Sequence, residues 1–212
     1  MDTDSKWIII RVDGKIAAIS TDYRLLARIS AHLAERSGSE KSSGKVKNPL
    51  LYKEISAVTA EFEDIWKLRK TVRWDDLMLF GTEFQKKTWR KLWDLTHKED
   101  DDQGNDITPD NQIRLISYSD FAELCENRAG VRAVAHAIGL NPISVIIPCH
   151  LVVPKETIDR ITAIQKKAES TIFKGDDLCL TSILSDPATD FGEYSLGRNL
   201  KRDLILMELD TK

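Results

Sequence analysis

Apolar and polar positions alternate, cluster or repeat in ways that divide the chain into elements. Trp7-Ile-Ile-Ile-Arg-Val-Asp-Gly-Lys-Ile-Ala-Ala-Ile19 holds two short apolar runs around Asp13-Gly14, the pattern of a hairpin with a two-residue turn. From Tyr23 to Arg36 the apolar residues Leu25, Leu26, Ile29 and Leu33 recur at helical spacing, predicting an amphipathic helix. Ser37 to Lys47 is rich in Ser, Gly and Lys and predicts a loop, followed by a second helix from Pro49 to about Lys67. Thr82 is placed to cap a helix reaching Leu95, with Phe84, Thr88, Leu92 and Leu95 on one face. Trp89 and Trp93, one turn apart, widen that stripe.

Further along, Ile116 opens a short extended piece, and Ser119 is expected to cap a helix running to Cys125. A turn at Asn127–Gly130 leads into a helix from Val131 to Ile138, closed by Gly139 in a C-cap role. Two short helices joined by a tight turn form a helix-turn-helix signature. The densest apolar stretch is Asn141-Pro-Ile-Ser-Val-Ile-Ile-Pro-Cys-His-Leu-Val-Val153. Its runs Val145–Ile147 and Leu151–Val153 predict a buried strand, broken at Pro148, which lacks an N–H for a ladder. Pro154 to Gly192 is charged, with a helix expected at Ile158–Glu169. Tyr194 to Leu209 ends the pattern as an amphipathic helix bearing Leu196, Leu200, Leu204 and Met207.

Composition narrows the class. The chain has 212 residues, 42% hydrophobic and 31% charged, with a net charge of −3. These are the proportions of a soluble globular protein. No run approaches the roughly 20 apolar residues of a membrane span, and the acidic N-terminus lacks the pattern of a signal peptide. Three cysteines at irregular spacing make neither a disulfide framework nor a metal motif, so a cytoplasmic protein without metal is expected. Acid is concentrated at residues 98–106. From Asn127 through Lys155 there is no Asp or Glu, while Arg128, Arg132 and Lys155 are present, a local positive balance suited to phosphate.

Cys149 and His150 sit side by side at the proline break, on apolar flanks, where a thiol is better placed for chemistry than as filler. Cys125 and Cys179 read as inert small hydrophobes. Glu208 follows Leu204 by one helical turn, at the edge of a buried face, and Lys201 lies seven residues before it on a similar side.

These residues resemble the O6-alkylguanine-DNA alkyltransferases, also called methylated-DNA–protein-cysteine methyltransferases. The resemblance covers about Gly81 to Leu209 and is carried by five ordered blocks. They are Gly81-Thr-Glu-Phe-Gln85 with Trp89, Ile116-Ser-Tyr118, Arg132-Ala-Val with Asn141-Pro142, Ile147-Pro-Cys-His-Leu-Val-Val153, and Tyr194-Ser-Leu-Gly197 with Lys201, Leu204 and Glu208. It implies an α+β fold with two domains. Residues 1–75 would be a small α/β scaffold with antiparallel strands. Residues 76–212 would be a mainly helical, winged-helix-like domain for DNA binding and alkyl transfer, with insertions at 98–112 and 155–192.

The function implied is irreversible transfer of the alkyl group from O6-alkylguanine in double-stranded DNA, with O4-alkylthymine a further substrate, to Cys149. The helix at Val131–Ile138 would enter the minor groove, where Ala133 and its small neighbours permit close approach. Arg132 would fill the gap left by a flipped nucleotide, and Asn141 would be the hinge to the nucleophile. His150 would take the Cys149 proton through a water, and Glu208 would orient His150. Tyr118 and Lys201 would stabilise the departing guanine, and Ser195 would contact the alkylated oxygen. The protein would act once, as a monomer, without a cofactor and away from membranes. The main departure is Leu151, where the family usually carries arginine. Two other functions are open: a non-catalytic sensor of alkylated DNA, which typically lacks the cysteine, and a cysteine hydrolase, which normally takes its histidine from a distant segment.

Overall fold

The computed structural model describes residues 6–36, 54–97, 115–169, 186 and 189–210. Its architecture is α+β, and its contacts group the chain into two units. One holds residues 2–86 together with Asn141–Ile147; the other holds residues 87–140 and 148–212. The expected loop at Ser37–Lys47, the acidic run at 98–106 and Cys179 lie outside the described residues.

In the first unit β1 (Trp7–Val12) and β2 (Lys15–Ser20) form the expected antiparallel hairpin. Asp13 and Gly14 take φ of 48° and 80°, the two left-handed positions that a tight turn matched to strand twist requires. The helix α1 (Tyr23–Arg36) lays Leu25, Leu26, Ile29 and Leu33 onto Ile10, Val12, Ala17 and Ala18. The second expected helix is not formed as read. Ile55–Ala60 is a strand, β3, paired antiparallel with β1 from Ile55↔Val12 to Ala60↔Trp7. A shorter helix, α2 (Phe62–Arg69), follows. Six consecutive pairings to a distant strand outweigh the weak local helix preference of a segment containing Ile55, Val58 and Thr59.

The segment Asn141–Ile147 joins this unit by pairing with β2. Ile19 N–H donates to Pro142 O at 2.9 Å, and Ser144 N–H donates to Ile19 O at 3.0 Å. The strand expected through Val145–Ile147 is instead a turn, with Val145 at φ 73° and Ile147 N–H bonded to Ile143 O at 3.0 Å. All three residues are fully buried, so the apolar run fixed burial without fixing backbone shape.

In the second unit β4 (Ile116–Ser117) and β5 (Val152–Val153) form a short parallel pair. The helix α3 (Glu83–Trp93) enters it after a reciprocal cap, in which Gln85 N–H donates to Thr82 Oγ1 and Thr82 N–H to Gln85 Oε1. Trp89 and Trp93 are buried as expected, whereas Phe84 is 37% exposed. α4 (Tyr118–Leu124) is capped by Ser117, not Ser119: Ser117 Oγ accepts from Asp120 N–H, three residues on, a reach Ser119 does not have to that amide.

A 3₁₀ turn at Arg128–Gly130 leads into α5 (Val131–Gly139). A Cβ at Gly130 would lie 2.4 Å from the Asn127 side-chain amide, which would have to move aside. Gly139 is the last helical residue rather than a left-handed cap; Leu140 closes the helix by donating to His136 O and Ala137 O. Trp89 Nε1 donates to Ala137 O at 2.8 Å and ties α3 to α5. α6 (Lys155–Glu169) and α7 (Arg198–Asp210) complete the unit, and Val153, Ile161, Phe191 and Ile205 pack together.

Candidate functional site

Pro148 ends the preceding turn, and Cys149–Leu151 winds into one 3₁₀ turn in which Leu151 N–H donates to Pro148 O at 3.1 Å. This corrects the extended conformation expected from Leu151 onward; only Val152–Val153 is strand. With about three residues per turn, neighbouring side chains diverge by roughly 120° instead of pointing to opposite faces. Cys149 and His150 are therefore aimed at different partners. Cys149 is 3% exposed, with Sγ 3.8 Å from the Tyr194 hydroxyl. His150 is fully buried and its Nε2 lies 2.8 Å from Glu208 Oε1 on α7. A carboxylate at that distance fixes the ring's orientation and its tautomer.

The same face of α7 carries Lys201 about two turns earlier. Lys201 is fully buried, and its Nζ donates to Val152 O at 2.7 Å, to the Tyr118 hydroxyl at 3.4 Å and to Glu193 O at 3.4 Å. Burial lowers its pKa from 10.5 to about 8, partly countered by the negative charges of Cys149, Asp190 and Glu193. Tyr118, the first residue of α4, has its pKa raised by burial and then by the charge of Cys149. An amine near its neutral point beside a phenol kept protonated makes a proton-donating pair next to the thiol.

Cys149 and Tyr118 open into a cleft of about 460 Å³. One wall is α5, through Ala135, Ile138 and Gly139; the opposite wall is Glu193, Tyr194 and Ser195. Ser195 is exposed at this wall. Arg132, Ala133 and His136 are exposed on α5. Asn141 belongs to the first unit, where it is 2% exposed. Its Nδ2 donates to Ile147 O at 2.9 Å and its Oδ1 accepts from Ile143 N–H at 3.0 Å. Leu151 is 2% exposed, a core position.

The structure thus gathers Cys149, His150, Glu208, Tyr118, Lys201 and Ser195 in one unit. It also adds two groups that sequence reasoning passed over: the Tyr194 hydroxyl beside the thiol and Glu193 at the rim. Tyr194 opens the block Tyr194-Ser-Leu-Gly197 without a role assigned to it, and Glu193 is signalled only by adjacency to that block. Among the described residues no cluster of His, Cys, Asp and Glu is arranged to hold a metal, and no helix is long and apolar enough to cross a membrane.

Part of the chain is similar to known proteins. Residues 112–169 match the family model described as 6-O-methylguanine DNA methyltransferase, DNA binding domain. A probable methylated-DNA–protein-cysteine methyltransferase of Acanthamoeba polyphaga mimivirus is 41% identical over 80 residues, 38% of this chain and 44% of the relative. A methylated-DNA–protein-cysteine methyltransferase of Haemophilus influenzae is 36% identical over 76 residues, 36% of this chain and 34% of the relative. The chain spans less than half the length of these curated relatives. Among solved structures, an O6-methylguanine-DNA methyltransferase from Pyrococcus kodakaraensis aligns at a TM-score of 0.44 and 21% identity, covering 96% of this chain and 91% of that one. The resemblance read from the sequence is borne out by the match at residues 112–169 and by these relatives.

Proposed function

We propose that this protein repairs DNA by transferring the alkyl group of O6-alkylguanine to its own Cys149. One observation carries the reading: Ala135, Ile138 and Gly139 of α5, second helix of the helix-turn-helix, line the same cleft as the Cys149 thiol, with Tyr118 and Lys201 beside it. A helix that meets DNA and a nucleophile that meets a base need to share one space, because the stacked duplex hides the reacting atom until the base is turned out. Local lack of acid from Asn127 to Lys155 supports duplex binding there. The names of the relatives support the same activity.

In this mechanism His150, held by Glu208, takes the Cys149 proton through a water, and the thiolate attacks the alkyl carbon in line with its bond to O6. The S–C bond forms as the C–O6 bond breaks, and the departing guanine takes up a proton from Tyr118, whose hydroxyl is bonded to Lys201. Arg132, exposed on α5, fills the vacated stack. Ser195 binds the alkylated oxygen, and Asn141 is the joint between the recognition helix and the nucleophile. The thioether is not hydrolysed, so each molecule reacts once and no cofactor enters.

Incubation with duplex DNA containing O6-methylguanine, followed by mass measurement, tests this. One methyl-sized increment is expected on the Cys149 peptide and none in Cys149→Ser. Unmodified protein that still binds the lesion would identify a sensor instead.

A further inference from the structure

The segment from Pro154 to Gly192, set aside in the sequence as an insertion, ends directly in one wall of the cleft. We propose that α6 is a brace that holds this wall and so limits the size of the alkyl group admitted. The proposal rests on the alkyl-transfer reading and adds positioning residues to it, Thr157 and Arg160.

Thr157, in the first turn of α6, is 4% exposed, and its hydroxyl donates to Asp190 O. One turn on, Arg160 Nη2 bonds to Asp186 Oδ2 at 2.7 Å, and Asp186 O accepts from Thr189 N–H at 3.0 Å. Directly after these two anchors Phe191 is buried in a cluster with Ile161 of α6 and Ile205 of α7. Gly192 then turns at φ 78°; an added Cβ would lie 3.2 Å from Pro154 and 3.5 Å from Tyr118, so the backbone is seated against the site with little room. Glu193, Tyr194 and Ser195, the wall residues, follow immediately. A wall tied at both the polar and apolar contacts of one helix cannot recede from Cys149 unless those ties are released. Close-packed surroundings resist gradual displacement, so release of a tie changes the width of the cleft in a step.

Thr157 and Arg160 touch neither the cleft nor the thiol, and they act through residues 189–195. The experiment compares single-turnover rates with the free bases O6-methylguanine and O6-benzylguanine, small and bulky groups on one leaving group. In Thr157→Val the benzyl-to-methyl rate ratio is expected to rise about fivefold, the scale of one lost hydrogen bond. Thr157→Ser is expected to keep the wild-type ratio. Arg160→Asp and Asp186→Arg should each raise it, and the double exchange should restore it. This pair is partly exposed, so its loss leaves folding nearly unchanged. Ratios unchanged in Thr157→Val and Arg160→Asp, with the wild type reactive toward both bases, would overturn the brace while leaving the transfer reading intact. A wild type that takes a group from neither base, and no methyl group from O6-methylguanine in duplex DNA either, would overturn both.

Discussion

Lys201→Met separates what this buried lysine costs the fold from what it contributes to the site. The drop in its pKa from 10.5 to about 8 corresponds to roughly 3 kcal/mol of penalty for the charged form in the folded protein. The sign follows from proton binding. Between pH 8 and 10.5 the unfolded chain holds this proton more tightly than the folded one, so stability rises with pH across that window. Below pH 8 both states are protonated and the penalty is present in full. Wild-type protein is therefore expected to gain about 2 kcal/mol from Lys201 between pH 7 and 9.5.

Methionine removes the penalty and its pH dependence, but leaves Val152 O without the donor at 2.7 Å, at a cost of about 1–3 kcal/mol. At pH 7 the two effects nearly cancel. The variant should unfold in urea close to wild type there, and fall about 2 kcal/mol behind it at pH 9.5. Its transfer rate should drop at every pH, because Tyr118 loses the amine at its hydroxyl. A stability difference between variant and wild type that stays constant from pH 7 to 9.5 would refute the burial argument.

Two further substitutions probe the recognition helix and the departure at Leu151. Arg132→Ala should slow repair of duplex DNA by roughly tenfold to a hundredfold, the scale of the unstacking cost it offsets, while leaving the rate with free O6-methylguanine unchanged; equal losses on both substrates would remove the finger role. Leu151→Arg should destabilise the protein by more than about 2 kcal/mol in urea unfolding, because a 2% exposed core position would receive a charge. A stability equal to wild type would show that the arginine finds solvent or a partner from that turn.

Where contacts are local, residue pattern and structure coincide. Asp13-Gly14 specified a turn between adjacent strands, the spacing of Leu25, Leu26, Ile29 and Leu33 specified α1, and Thr82 specified the start of α3. Each depends on residues within a few positions of one another, so the backbone choice is settled before any packing. The cap of α4 shows the limit: Ser117 and Ser119 both suit the role by type, and the amide within reach of Ser117 decided between them.

The sequence by itself determined that residues 141–153 are buried, that Cys149 follows a break in the chain and that α7 presents Lys201 and Glu208 on one side. Tertiary structure decided the rest. Val145–Ile147 turns instead of extending because its neighbours pair with β2 and because the Asn141 side chain holds both ends of the turn. Residues 55–60 became a strand because β1 offered an edge. His150 meets Glu208 across 58 residues, and Lys201 meets Tyr118 across 83. No periodicity encodes such a meeting, since each partner's place depends on how separate elements fill one core.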